Sequence, residues 1–396
     1  MVRRIDAALF SLWLIFFLNG AVLSSWAPRI PDVKHDLHLS DGVLGLALFG
    51  VAAGSVPALF ATGALLRRAP ARAVCLLSAV VFAAALPSIA LAHNGFTLGL
   101  TLAVLGAASG CLDVAMNALG IRFEERRGAR VLSRLHGGYS LGVLAGAGAG
   151  GLAAHFDVSV GRHFSVVAAA LIAVALSVSR RLPSYGPPRP DAAPPAGRRV
   201  PRIPWQIAAL AVAALLLEGM VTDWSALLVG RDYGGDTSLG AFAITGFSFA
   251  MFLSRSLGDA LVERFGARRL CVAGAAIAVL TMAAGLAQPS PTGLLIAIMA
   301  MSLVLGPLFP LAVSAAGLAG PADAAAMAAK VSAVGYLAYL GGPPLVGLGA
   351  ETLSLPVTFA ITTLICGIAM ALSGRRLPSA EHRAEQLERG KITWPN

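Results

Sequence analysis

Residues 258–269 read Gly-Asp-Ala-Leu-Val-Glu-Arg-Phe-Gly-Ala-Arg-Arg, and they stand where two long apolar runs meet, residues 237–261 and 268–287. Gly266 permits a tight turn, because glycine adopts backbone angles that other residues avoid. The three arginines of the stretch need water or an anionic surface. The stretch is therefore predicted to be a short polar loop that joins two membrane-crossing helices.

The composition of the chain points the same way. Of the 396 residues, 57% are hydrophobic and only 13% are charged, whereas soluble proteins carry about 25% charged residues. One helical span needs about 20 apolar residues, and the runs here are continuous, without the alternation of a barrel strand. The sequence therefore predicts an all-α membrane protein.

Twelve apolar runs are long enough to be spans. We predict them at residues 7–27, 41–65, 71–92, 95–120, 132–155, 161–180, 204–229, 237–261, 268–287, 291–317, 324–348 and 355–374.

A segment rich in proline and arginine, residues 183–203, separates the sixth span from the seventh. Such a composition is typical of an extended linker. It predicts an N-terminal six-helix bundle at residues 1–182, a C-terminal six-helix bundle at 204–376 and a tail at 377–396. Short matches recur at an offset of 195 residues and indicate an internal repeat with pseudo-two-fold symmetry, namely Leu44-Gly45 with Leu239-Gly240 and Gly63 with Gly258.

The positive charges fall unevenly on the loops. With twelve spans, 25 of the 30 lysines and arginines lie on the side of the two termini, four lie in the opposite loops, and Arg255 lies within a span. Cytoplasmic loops carry such an excess. We therefore expect a multi-pass protein of a bacterial inner membrane with both termini cytoplasmic. The net charge of +10 then follows from topology and does not indicate nucleic-acid binding.

The loop at 258–269 resembles the cytoplasmic loop signature of the major facilitator superfamily (MFS), GDxxxxRxGxRR. The resemblance implies two rocking six-helix bundles and a gating contact made by this loop. Its counterpart at residues 63–72 keeps the glycine and three arginines but has no aspartate. The resemblance assigns the gating role to Gly258, Asp259, Arg264, Gly266, Arg268 and Arg269.

Span four carries the first charged candidate for a site. Asp113 and Asn117 are four residues apart and share a helix face, and a carboxylate at membrane depth is costly enough to suggest a function. The stretch is similar to the fucose-permease branch of the superfamily, in which these positions imply sugar binding and proton coupling. Alternatively, Asp113 forms a conformational ion pair with Arg134 or another loop arginine.

Two further stretches are similar to the same branch, residues 16–20, which contain Asn19, and residues 305–310 in span ten. The branch has a second carboxylate near the outer end of span one. This chain has Ser24, Ser25 and Trp26 there, and no acid.

Span seven carries Glu218 near its middle, followed by Gly219, Asp223 and Trp224. Burial favours the neutral form of a carboxyl group, so Glu218 is predicted to bind and release protons. Gly219 allows the helix to bend, as transporter helices often do at a site. Alternatively, Asp223 and Trp224 lie at the outer interface and Glu218 only hydrogen-bonds across the bundle.

Three more side chains are candidates for the cavity. His136, at the start of span five, relays protons or else packs against a loop, since histidine titrates near neutral pH. Tyr336 and Tyr339 flank a Gly-Gly-Pro-Pro stretch at 341–344 that is expected to break span eleven. They line a substrate cavity or pack within the bundle.

Span five also contains a glycine run at residues 142–151. Gly142, Gly146 and Gly150 lie on one face, which permits close helix contact. The run resembles the antiporter signature of drug-efflux members, except that Ala147 replaces a proline.

The sequence contains no GxxxxGK[ST] phosphate loop, so ATP is not expected to drive it. There is no metal-spaced His/Cys cluster or nucleophile motif, and we expect no enzyme, cofactor or metal. The cysteines lie in apolar runs without a CxxC pair and are predicted to be reduced, at Cys75, Cys111, Cys271 and Cys366.

The function predicted from these features is secondary active transport by a monomer. The hypothesis is proton-coupled symport of a small, sugar-like solute by alternating access, with H+ as the coupling ion. The substrate and proton-binding residues would be Asp113, Asn117, Glu218, Asn19, His136, Tyr336 and Tyr339. Proton-antiport efflux of amphipathic compounds and a non-transporting membrane sensor or scaffold are the alternatives.

Overall fold

The computed structural model describes residues 6–127, 131–185, 202–319 and 324–377. The chain divides into two compact units, unit 1 at Met1–Pro194 and unit 2 at Pro195–Asn396. The boundary falls in the linker segment predicted at 183–203, of which residues 186–201 lie outside the described part. The predicted tail also lies outside it from residue 378 onward.

Unit 1 consists of helices in the part of it that the structure describes. Short 3-10 turns at Ala27–Arg29 and Leu86–Leu91 extend α1 and α4. The helices are α1 (Ala7–Trp26), α2 (Ile30–Asp36), α3 (Asp41–Leu65), α4 (Ala71–Ala85), α5 (Gly95–Arg127), α6 (Leu132–His155) and α7 (Val160–Val178).

Unit 2 is built in the same way over its described residues. A π-helical turn at Leu228–Asp232 continues α8. The helices are α8 (Trp205–Leu227), α9 (Thr237–Phe265), α10 (Ala267–Ala287), α11 (Pro291–Leu305), α12 (Leu308–Ala319), α13 (Ala324–Thr352) and α14 (Leu355–Arg375).

Each of the twelve predicted apolar runs coincides with a helix or a pair of helices, so the all-α membrane fold is confirmed. Within the described ranges, 11 helical segments are long and apolar enough to cross a membrane. The predicted span missing from that set is α6. This helix contains seven glycines along its length, and its first two turns carry Arg134 and His136. Its 24 residues still measure about 36 Å, enough for a bilayer core of about 30 Å.

Two boundaries differ from the prediction. α5 continues to Arg127 rather than ending at 120, because the charged residues that follow are good helix formers and carry the helix beyond the apolar run. Span ten consists of α11 and α12, separated at Gly306 and Pro307. Proline lacks a backbone N–H and its ring clashes with the preceding turn, which explains the break.

The break expected in span eleven is wrong, because α13 runs without interruption through Pro343 and Pro344. At Gly219, where the sequence permits a break or a bend, α8 is continuous. Neighbouring helices in a membrane bundle help to satisfy the backbone groups that a proline leaves free, so the sequence signal alone does not fix a break.

The same pairs of spans pack together in the two units, each taken by itself. In unit 1, α1 packs along α6 and α3 along α5. In unit 2 the equivalent spans do the same, with α8 along α13 and α9 along α11. This agreement in helix pairing is what a repeated six-span unit requires.

A buried arginine closes one end of unit 1. Arg29 forms an ion pair with Asp32, with Nε and Oδ2 2.5 Å apart, and its Nη2 donates to the Val158 carbonyl at 2.8 Å. The side chain is buried. Arg29 therefore ties the end of α1 to the loop before α7 and is not a freely solvated loop residue.

The contact between α1 and α6 depends on the glycine run. A β-carbon on Gly142 would collide with the Phe17 carbonyl, and one on Gly146 would collide with the Ala21 carbonyl. A β-carbon on Gly150 would lie 2.9 Å from Pro28 Cγ. The predicted packing face is thus confirmed. By contrast, nothing lies within 4 Å of a β-carbon built on Gly148.

We expect Gly142→Ala to destabilise the protein, because the added methyl group forces α1 and α6 apart. Overpacking of this kind costs about 1–3 kcal/mol. Gly148→Ala is the matched control and should be neutral or stabilising by up to about 1 kcal/mol, since alanine favours helix. Thermal unfolding in detergent measures both, and an equal midpoint for the two variants would contradict the packing.

Candidate functional site

The predicted site residues of unit 1 lie on three of its helices. Asp113 and Asn117 are on α5, Asn19 is on α1 and His136 is on α6. In unit 2, Glu218 is on α8, and Tyr336 and Tyr339 are on α13.

Asp113 is an exposed carboxylate on a helix that is otherwise apolar through most of the span. The Asn117 amide Nδ2 donates to its Oδ1 at 3.2 Å and to its backbone carbonyl at 2.9 Å. Within the described ranges, Asp113 makes no ion pair with Arg134 or any other residue. The shared face predicted for this pair is therefore present, and the alternative of a conformational ion pair is not seen there.

Asn19 and His136 lie on two helices that pack together, α1 and α6. The His136 ring meets Phe16 edge-on, with centroids 5.2 Å apart, and a β-carbon on Gly20 would collide with the Tyr139 carbonyl. Asn19 is buried, and its Oδ1 has no hydrogen-bond partner among the described residues. The contact between α1 and α6 thus places His136 against Phe16, and α1 carries a buried acceptor without a described partner three residues after Phe16.

α5 reaches the same contact one turn after Asn117. A β-carbon on Gly120 would lie 3.1 Å from Leu135 Cδ1 and 4.0 Å from Phe16 Cζ. The polar candidates of unit 1 therefore belong to three helices that meet around Phe16.

Glu218 forms an ion pair that the sequence analysis missed. Its Oε2 lies 2.7 Å from Arg255 Nη2 on α9, with 19% of the Glu218 side chain and 35% of the Arg255 side chain exposed. The contact agrees with the alternative that Glu218 bonds across the bundle. Arg255 could have indicated the pair from the sequence, because an arginine within an apolar span needs an anionic partner.

Gly219, beside Glu218, brings α8 against α13. A β-carbon on Gly219 would lie 3.2 Å from Tyr339 Cδ2 and 3.3 Å from the Tyr339 carbonyl. One turn earlier on α13, Tyr336 is exposed and meets Phe309 edge-on at 6.0 Å. Glu218 thus joins α8 to α9, and Gly219 beside it brings α8 against α13.

A second carboxyl group lies on α8, five residues after Glu218. Asp223 is half-buried and makes no hydrogen bond or ion pair within the described part of the chain. Trp224 beside it is fully buried, with its indole Nε1 unpartnered there. Trp224 therefore packs inside unit 2. Asp223 was not among the predicted site residues, although its position in an apolar run was a sufficient signal.

The loop predicted to gate the transporter has the expected turn. Gly266 has φ +78°, and its N–H donates to the Val262 carbonyl at 2.9 Å to close α9. Gly258 lies against Pro307, since a β-carbon built on Gly258 would lie 3.5 Å from Pro307 Cβ. Arg264, Arg268 and Arg269 are exposed. The Asp259 side chain lies outside the described part of the structure.

The sequence profile of the Major Facilitator Superfamily matches residues 12–224 and again residues 207–394. The chain belongs to this superfamily. It is therefore a multi-pass membrane transporter, as its loop motif indicated. An uncharacterized MFS-type transporter of Yersinia pestis is similar to it, with 29% identity over 369 residues that cover 91% of this chain and 94% of that protein.

Solved MFS structures share the fold. A bacterial homolog of the human lysosomal transporter Spinster superimposes with a TM-score of 0.71 at 19% identity, covering 93% of this chain and 96% of the other. A D-xylose-proton symporter superimposes with a TM-score of 0.74 at 13% identity, covering 96% and 99%. At these identities the likeness concerns the fold alone.

We expect the ion pair on α8 and α9 to stabilise this MFS transporter. Arg255→Gln leaves the Glu218 carboxylate without its guanidinium partner, and Glu218→Gln removes the anion that Arg255 faces. The double variant should lose less than the sum of the single losses, by about 0.5–3 kcal/mol. Chemical unfolding in detergent measures all three, and strictly additive losses would show that the two charges are not coupled.

Proposed function

We propose that this MFS protein is a proton-coupled symporter of a small polar, sugar-like solute that works by alternating access. We place it in a bacterial inner membrane with both termini cytoplasmic, as the distribution of arginine and lysine favours. The observation that carries the proposal is Asp113, a carboxyl group on a membrane helix whose described contacts include an amide but no cation.

Asp113 and Glu218 differ in the groups that face them. Glu218 forms an ion pair with the Arg255 guanidinium, whereas the described partner of Asp113 is the neutral Asn117 amide. A carboxyl group at membrane depth that no cation compensates is a functional candidate by default. We therefore assign the coupling proton to Asp113 and a solute-binding role to the Glu218–Arg255 pair.

The neutral candidates suit a solute with several hydroxyl groups. The Asn19 Oδ1 is an acceptor that lacks a partner in the described part of the chain, and Asn117, Tyr336 and Tyr339 add amide and phenol groups that donate and accept. A site that hydrogen-bonds a ligand hydroxyl discriminates strongly for it, because an analogue without the hydroxyl leaves a polar group such as the buried Asn19 amide without that bond. The similarity of spans one, four and ten to the fucose-permease branch supports the same solute class.

Efflux was suggested by the glycine run of α6. That run is occupied in packing against α1, where Gly142 and Gly146 meet backbone carbonyl groups. Since packing accounts for the glycines, they favour neither direction of transport, and the direction is a question for experiment.

Removing the charge of Asp113 should uncouple protons from the solute. Purified protein is reconstituted with an internal pH dye and challenged with D-glucose, D-xylose, L-fucose and other monosaccharides. For a sugar that the wild type takes up with protons, Asp113→Asn should abolish proton uptake but retain exchange of labelled sugar across the membrane. Glu263→Gln changes an exposed carboxyl group in the last turn of α9; it is the control and should leave proton uptake intact.

Two outcomes oppose the proposal in different ways. Sugar-driven proton uptake that persists in Asp113→Asn would remove Asp113 from coupling. No flux of any tested sugar in the wild type, with a cellular phenotype that survives Asp113→Asn and Glu218→Gln, would favour the sensor or scaffold.

The direction of transport is tested with membrane vesicles of both orientations. We expect energised right-side-out vesicles to accumulate a labelled monosaccharide, because the proton gradient drives symport inward. Everted vesicles that acidify their interior should not accumulate it. Accumulation in everted vesicles alone would establish antiport efflux instead.

A further inference from the structure

Five arginines gather at one end of unit 1. Arg67 and Arg68 follow α3, Arg72 lies in the first turn of α4, and Arg180 and Arg181 follow α7. The Arg72 Nη2 donates to the Ser179 carbonyl at 2.5 Å, which fixes the two segments beside each other. We call the other four, all exposed, the arginine corner: Arg67, Arg68, Arg180 and Arg181.

The arginine corner carries positive charge that no acid offsets in the described part of the structure. The segments 66–72 and 179–185 contain no aspartate or glutamate, and none of the four arginines forms an ion pair with a described residue. Arg67 donates to the Gly63 carbonyl at 3.2 Å, which neutralises nothing. At the same end of the unit, by contrast, Arg127 is paired with Asp6.

The sequence explains why the acid is missing. The second-half loop has the aspartate of the MFS signature at Asp259 and a further acid at Glu263, whereas the first-half loop at 63–72 keeps the arginines alone. The usual excess of arginine and lysine in cytoplasmic loops accounts for the positive sign of the corner. It does not explain why the two segments contain no acid, or why Arg72 holds them beside each other.

Exposed apolar side chains precede the corner on the helices that lead to it. Leu65 and Leu176 are exposed and lie three and four residues before Arg68 and Arg180 in the chain. Phe60, farther along α3, is 79% exposed. The surface therefore offers guanidinium groups at the helix ends and an apolar strip toward the middle of the span.

We propose that the arginine corner binds an anionic phospholipid with two phosphate groups, of the cardiolipin class. Arginine matches phosphate because its planar fork donates two parallel hydrogen bonds, and four guanidinium groups provide two for each phosphate. The acyl chains would lie along Leu65, Leu176 and Phe60. Basic clusters at the cytoplasmic ends of membrane helices recognise headgroups of this kind.

Native mass spectrometry of the purified full-length protein, titrated with tetraoleoyl cardiolipin, tests this site. We expect saturable binding at low lipid ratio, with dioleoyl phosphatidylglycerol weaker and dioleoyl phosphatidylcholine weakest. The variant Arg67→Gln/Arg68→Gln/Arg180→Gln/Arg181→Gln should bind cardiolipin at least about tenfold more weakly, because each arginine near a phosphate contributes about a fivefold factor. Arg72 is left in place because it ties the two segments together.

Two further variants separate the site from general charge and from misfolding. The four corresponding lysine substitutions keep the charge but lose the paired donors of the guanidinium group, so they should bind cardiolipin more tightly than the glutamine variant and more weakly than the wild type. The matched control Arg264→Gln/Arg268→Gln/Arg269→Gln/Arg375→Gln removes the same charge from unit 2, where the loop carries acids, and should bind cardiolipin as the wild type does. Wild-type affinity in the first glutamine variant, or an equal loss in the control, would overturn the proposal.

Discussion

The hydrocarbon core of a bilayer offers no water to the peptide groups and charges that cross it, and the rest of this structure follows from that lack. Peptide groups must bond within their own segment, so the twelve apolar runs become helices. Where two helices must approach closely, as α1 and α6 do at Gly142 and Phe17, the side chain is removed. Where a charge enters the bundle, as at Arg255, a counter-charge from the next helix accompanies it.

The same constraint separates the ionisable groups by role. Arg29 is buried and bonded to Asp32 and to the Val158 carbonyl, so it ties the end of α1 to the loop before α7. Glu218 and Arg255 satisfy each other. Asp113 and Asp223 have no cation among the described residues, and a carboxyl group left in that state at membrane depth has a cost that stability does not explain. Asp113 and Asp223, which no described cation compensates, are therefore the first candidates for a functional role in this transporter.

Much of the candidate site could be read from the sequence, and the reason is local geometry. Asp113 and Asn117 are four residues apart, so one helical turn suffices to bring them together. Gly266 was recognised as the loop turn because few other residues adopt positive φ. Glu218 with Arg255 was not foreseen, since the two residues are separated by 37 positions and no helical period relates them. Tyr339 beside Gly219 and His136 beside Phe16 are contacts of the same long-range kind.

Hydropathy alone was enough to predict the all-helical membrane fold and the twelve spans, because the thickness of the bilayer sets the length of an apolar helix that crosses it. Most span limits were also predicted to within a few residues, although α5 is seven residues longer than its apolar run. The sequence also determined the family, through a loop whose turn and charges are local. Three features were visible only in the folded protein: α13 stays continuous through Pro343 and Pro344, the glycines of α6 face α1, and Glu218 pairs with Arg255. Those outcomes depend on packing between helices far apart in the chain, and side-chain spacing within one helix carries no information about its neighbour.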